Sequence, residues 1–141
     1  MLTDKGFTLI EIVIVVTIAG LLSAITISRA DGFIDRIEVH GATMEAESMF
    51  SRARHIAIAR GTQTTLDIDP TRNTLSIRGS SEVLSSRDLR AAHGVKLDTN
   101  RTSITYSPIG VGYGAANFTM ILSRGRFADT IYVSRLGRVR H

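Results

Sequence analysis

Glu11 is an acid embedded in an apolar run, a place where a carboxylate needs a cation. The run reads Phe7-Thr8-Leu9-Ile10-Glu11-Ile12-Val13-Ile14-Val15-Val16-Thr17-Ile18-Ala19-Gly20-Leu21-Leu22-Ser23-Ala24-Ile25-Thr26-Ile27. Its 21 residues, as a helix rising ~1.5 Å per residue, span roughly 32 Å, against a bilayer hydrocarbon core of about 30 Å. The segment is therefore expected to cross a membrane. An ionised carboxylate within such a span costs on the order of 2.5–3.5 kcal/mol, so it is by default a functional group with a partner. No Lys or Arg stands between Phe7 and Ser28. Cleavage after Gly6 would create the missing cation, because Phe7 would then carry a free α-amine, mostly protonated at neutral pH, one helical turn from Glu11.

The second set of residues with chemical potential is at the other end of the chain. Residues 1–100 are net −1, whereas residues 101–141 hold six arginines against Asp129, net +5. Arg124, Arg126, Arg135, Arg138 and Arg140 crowd into 17 residues, and arginine grips phosphate in bidentate fashion. They form a candidate anion surface, with Phe127 and Tyr132 as the interleaved aromatics. The alternative is that they are scaffold, in a chain that uses 15 Arg against 2 Lys.

Catalytic constellations are not legible. His40, His55, His93 and His141 are scattered, Asp67 and Asp69 lack the further oxygen ligands of a calcium loop, and no serine or acid pair has a visible partner. Gly110-Val111-Gly112-Tyr113-Gly114 reads as a flexible loop and not as a dinucleotide fingerprint, which needs a strand before it and a helix after it. With no cysteine, thiol chemistry and disulfides are excluded. The sequence thus points to no enzyme and no cofactor.

The elements that must position these residues begin with the apolar run. Beyond Ile27 the pattern turns amphipathic without a proline: Ile34, Ile37, Gly41, Met44, Ser48, Met49, Ala53, Ile56, Ala57 and Arg60 recur at mostly three- and four-residue steps. A helix is expected to continue to Arg60 and stop at Gly61. Gly20, Gly32 and Gly41 are the expected bend or melting points within it. Thr62 to Asp69 and Thr74 to Arg78, joined by Pro70-Thr71-Arg72-Asn73, read as a hairpin. Short strands are expected at Val83-Leu84, Arg101 to Ser107, Asn117 to Leu122, Asp129 to Ser134 and Arg138 to Arg140. The expected class is α+β, a long helix packed on antiparallel sheet. Its expected segments are a leader at 1–6, a transmembrane and assembly helix at 7–27, an amphipathic continuation at 28–61 and a β domain at 62–141.

Gly6-Phe7-Thr8-Leu9-Ile10-Glu11 after a short polar leader resembles the processing signature of type IV prepilins and the pseudopilins of type II secretion. An ordinary secretory signal peptide or a signal anchor is the alternative, but a cleavable signal wants an uninterrupted apolar region of about 7–15 residues followed by a small-x-small site, and Glu11 breaks this one. The resemblance implies cutting after Gly6 by a prepilin peptidase, N-methylation of Phe7, and a role for Glu11 in neutralising a neighbour's N-terminus during assembly. It also implies a cytoplasmic leader, anchorage in the bacterial inner membrane, a periplasmic body, and as partners other pilins or pseudopilins and the inner-membrane assembly platform. Many major pilins have a proline near the position of Ser28, which this chain lacks. The stretch Glu45-Ala46-Glu47-Ser48-Met49-Phe50-Ser51-Arg52-Ala53-Arg54-His55-Ile56-Ala57-Ile58-Ala59-Arg60-Gly61, together with Ile104 to Gly110 and Ile131 to Arg140, resembles the GspH/FimT minor pilins. Gly137-Arg138-Val139-Arg140 matches a Gly-Arg-x-Arg element that some FimT-type proteins use to bind DNA. The resemblance therefore carries two functional expectations: a filament subunit supporting secretion or pilus priming, or a pilus component that captures DNA.

Overall fold

The computed structural model describes the backbone of residues 6–115, 117–134 and 138–140, with the side chains of 25–31 outside the description. Most of the expected leader, and the candidate residues Arg135 and Gly137, lie outside the described residues. The chain divides into two units, Met1–Ile34 and Asp35–His141. One helix, α1 (Leu9–Arg60), contributes to both.

In the first unit the described apolar side chains of α1 are exposed. The hydroxyls among them turn back onto the helix, Thr17 Oγ1 donating to the Val13 carbonyl at 2.7 Å and Ser23 Oγ to that of Ala19 at 2.8 Å. These bonds satisfy the only hydroxyl groups between Leu9 and Ala24 without water. Among the described residues no helix is long and apolar enough to cross a membrane. The side chains of 25–27, the last of the expected span, lie outside the description.

In the second unit α1 buries Val39, Ala42, Thr43, Ala46, Met49, Phe50, Ala53 and Ala57 at three- and four-residue steps. The expected stripe coincides with this one only from Met49 onward. Ile37 is 53% exposed and Met44 57%. The helix has two apolar stripes, and neighbouring residues differ by about 100° around its axis. The sheets take the alanine-rich stripe, whose small side chains let the backbones come close, and leave the bulkier one in solvent. At the helix end Gly61 adopts φ +61, and Thr62 N donates to the Ala57 carbonyl at 3.3 Å, the six-to-one bond of a Schellman stop.

The remainder forms two antiparallel sheets. β1 (Thr64–Asp69), β2 (Thr74–Arg78), β3 (Val83–Asp88), β5 (Ser103–Tyr106) and β6 (Gly112–Tyr113) make the first, in the order β3-β2-β1-β5-β6. β4 (Lys96–Thr99), β7 (Phe118–Arg124), β8 (Phe127–Val133) and β9 (Val139–Arg140) make the second, in that order. Alternation places Leu66 between Ile77 and Ile104 in one row, and Met120 opposite Ile131, all facing the core. Phe50 of the helix meets Phe118 edge to face, with ring centroids 5.5 Å apart. The expected β1–β2 hairpin is present. Asp69 Oδ1 caps its turn by accepting from Thr71 N and Arg72 N, and Asn73 takes the left-handed conformation at φ +57. Asn73 is buried, and its side-chain oxygen accepts from Leu97 N at 2.7 Å, which ties the first sheet to β4.

A short helix, α2 (Leu89–His93), β4 and β6, the last inside the Gly110 to Gly114 stretch expected as a flexible loop but paired to β5, were not among the expected elements. α2 starts on Asp88, whose carboxylate accepts from Ala91 N, and ends on Gly94 at φ +66. Five residues are too few to show a 3.6-residue period. β4 offers only Leu97 to the core.

Candidate processing and assembly site

α1 begins one residue after Thr8. Glu11 N lies 3.3 Å from Thr8 Oγ1, and Thr8 N lies 3.5 Å from Glu11 Oε2. The two residues thus form a long capping box, the threonine covering one free helix N–H and the glutamate reaching back over another. Thr8-Leu9-Ile10-Glu11 carries the T-x-x-E signal for this, which the sequence reading overlooked. The arrangement fixes the Glu11 carboxylate over the helix N-terminus, where the backbone dipole favours negative charge, and next to the residue that follows Phe7. Gly6 precedes it, and among the described residues no atom stands within 4 Å of where its Cβ would be. Phe7 is 78% exposed. The geometry can present a cut site ahead of a helix start and a carboxylate within one turn of any amine created there.

The arginines that crowd together in sequence do not crowd together in space. Arg124, at the end of β7, is committed to the body: Nε donates to Asp35 Oδ1 at 2.9 Å and Nη1 to the His93 carbonyl at 2.5 Å. Arg126 is exposed in the β7–β8 turn, its guanidinium 5.3 Å from the centre of the Phe127 ring. Arg140 pairs with Tyr132 at the opposite end of β8. Phe127 and Tyr132 are five positions apart, roughly 17 Å along a strand at ~3.3 Å per residue. Arg138 and Arg140 are both exposed, and Arg138 lines a crevice of about 400 Å³ with Glu47, Ser51, Arg54, His55 and Val139. A phosphate-binding surface on the described residues would thus rest on Arg138 and Arg140, with exposed Tyr132 beside Arg140.

Among the described residues no cluster of three His, Asp or Glu side chains could hold a metal ion. Tyr106 has a displaced titration that is structural in origin. Burial pushes the Tyr106 hydroxyl up to about 12, with the Arg54 guanidinium pulling it partly back.

With this geometry in place, the family described as the prokaryotic N-terminal methylation motif matches residues 1–27. No curated protein matches the chain by sequence. The fold is similar to that of the Pseudomonas aeruginosa type IV minor pilin FimU, with a TM-score of 0.63 at 20% identity, covering 77% of this chain and 90% of that one. It is also similar to the minor pseudopilin EpsH from the Type 2 Secretion System of Vibrio cholerae, with a TM-score of 0.57 at 14% identity, covering 73% of this chain and 94% of that one. The chain carries a prokaryotic N-terminal methylation motif and has the α+β pilin fold of a minor pilin and a minor pseudopilin.

Proposed function

We propose that this protein is a minor pilin or pseudopilin of the GspH/FimT kind, a structural subunit of a type II secretion pseudopilus or a type IV pilus. Prepilin peptidase cuts after Gly6 and Phe7 becomes the methylated N-terminus. The apolar segment anchors the subunit in the inner membrane with its body on the periplasmic side, and Glu11 pairs with the α-amine of a neighbouring subunit as the assembly platform builds the filament. The observation that carries this reading is the methylation motif at 1–27 joined to a body of minor-pilin fold.

The capping box explains why Glu11 can wait without its partner. Its carboxylate already faces the Thr8 N–H at the start of its own helix, so an incoming α-amine adds a full charge to a site prepared for an anion. Glu11→Ala removes a charge from an apolar segment, so insertion and cleavage should persist while assembly fails. Co-purification with partner pilins from membranes tests this. Normal recovery of partners with alanine at position 11 would refute the assembly role.

The DNA-capturing alternative retains one supporting observation, the exposure of Arg138 and Arg140 beside Tyr132. It loses Arg124 to an internal ion pair and Arg126 to the far end of the strand. The structural subunit is the reading we prefer.

A further inference from the structure

We infer that residues 35–45 of α1 are fastened to the sheets by a polar latch and open as a segment separate from the rest of the body. In this stretch the helix buries only Val39, Ala42 and Thr43, and the Thr43 hydroxyl is spent on the Val39 carbonyl at 3.0 Å. From Ala46 onward the burial becomes denser and includes Met49 and Phe50. What holds the earlier turns is a set of polar contacts. Asp35 Oδ1 accepts from Arg124 Nε at 2.9 Å, and Arg124 Nη1 donates to the His93 carbonyl. The His93 ring then lies between two acids of the helix, with Nδ1 2.8 Å from Glu38 Oε2 and Nε2 3.1 Å from Glu45 Oε2. Arg87 of β3 closes the chain at 3.1 Å from Glu45 Oε1.

Three glycines make room for these side chains. A Cβ at Gly41 would stand 3.1 Å from His93 Cε1, one at Gly94 would stand 2.9 Å from Arg124 Nη1, and one at Gly125 would collide with the Asp35 carboxylate. Gly41, expected to be a melting point, thus serves as a seat for His93. The latch joins helix, α2, β3 and the end of β7, and its links are part-buried ion pairs of Arg87 and Arg124 and hydrogen bonds of His93. Water can replace such links when they open, whereas it cannot replace the apolar contacts beyond Ala46. Segments with few buried apolar contacts are the ones that open below the global unfolding free energy. In a filament, and this consequence rests on the reading above, such a segment lets the helix adjust to its neighbours while the sheets stay folded.

Hydrogen exchange of the full-length chain in detergent micelles, resolved by mass spectrometry of peptides, tests the latch without requiring processing or assembly. The wild-type protein should exchange faster at 35–45 than at 46–57. Arg124→Gln should accelerate exchange at 35–45 by about tenfold or more, as expected for loss of a charge-assisted hydrogen bond, with β1, β5 and β8 unchanged. Gly125→Ala keeps every charge but places a methyl where the Asp35 carboxylate lies, and should produce the same local pattern. Equal protection of 35–45 and 46–57 in the wild type would overturn the inference. So would variants that accelerate the whole body in parallel.

Discussion

Replacing Tyr106 by Phe should leave the protein at least as stable at neutral pH and remove much of its alkaline sensitivity. The Tyr106 side chain is fully buried on β5, opposite Thr64. Among the described residues its hydroxyl has no hydrogen-bond partner, and neither does the nearby buried Arg54 Nε. An unpaired buried hydroxyl costs about 1–3 kcal/mol of lost hydration, so its deletion is neutral or stabilising by about 1 kcal/mol. The alkaline behaviour follows from the proton. Burial raises the group from 10.0 to about 12, so the native state holds its proton where the unfolded chain has already released it. The contribution is complete below pH 10 and is lost as pH rises through about 12, a difference worth about 2.7 kcal/mol for two units. Denaturant titration of the full chain in detergent, followed by circular dichroism at neutral pH and at several points in the alkaline range, measures both effects. If the Phe variant were less stable by more than about 1 kcal/mol at neutral pH, the hydroxyl would have a partner and the reasoning would fail. An unchanged alkaline decline would refute the assignment of that decline to Tyr106.

Two glycines with left-handed backbones should respond differently to alanine. At Gly61, φ +61 with open space around it, the cost is backbone strain of about 1 kcal/mol; at Gly110, φ +80, a Cβ would also stand 2.8 Å from Ile58 Cδ1, so Gly110→Ala should cost more in the same denaturant titration. The double variant Arg138→Ala, Arg140→Ala should leave DNA affinity unchanged, and low, when labelled duplex is titrated at several salt concentrations. Micromolar or tighter binding by the wild type near physiological salt, lost in the double variant with a flatter salt slope, would favour the DNA-capturing reading instead.

The elements with strong local signals were the ones legible in the sequence. The uninterrupted helical pattern, the Gly61 stop, the Pro70 to Asn73 turn and the alternating strands each rest on residues whose preference acts locally. The face of the helix that packs was not legible before Met49. Ile37 and Met44 are bulkier than Ala42 and Ala46, so hydrophobicity ranks the wrong stripe first, and only the close approach of the sheets decides between them. α2 and β4 were missed because each is short and leans on distant partners, α2 on its Asp88 cap and β4 on the buried Asn73 side chain. Crowding of arginines along the chain was a poor guide to crowding in space, because β8 runs between Arg126 and Arg140 and because Asp35, 89 positions from Arg124, claims that guanidinium. At the candidate processing site, where an acid in an apolar run singles out Glu11 and the resemblance points to Gly6 and Phe7, the structure adds the Thr8–Glu11 capping box, whose T-x-x-E signal was there to be read.

The central claim is that this chain is a processed filament subunit, and intact-mass measurement of the protein purified from membranes of a cell expressing prepilin peptidase tests it most directly. The expected result is a mature species that begins at Phe7 and is heavier by one methyl group, with uncut precursor accumulating in Gly6→Val. A mature protein beginning at any other residue, or unchanged processing of Gly6→Val, would contradict it.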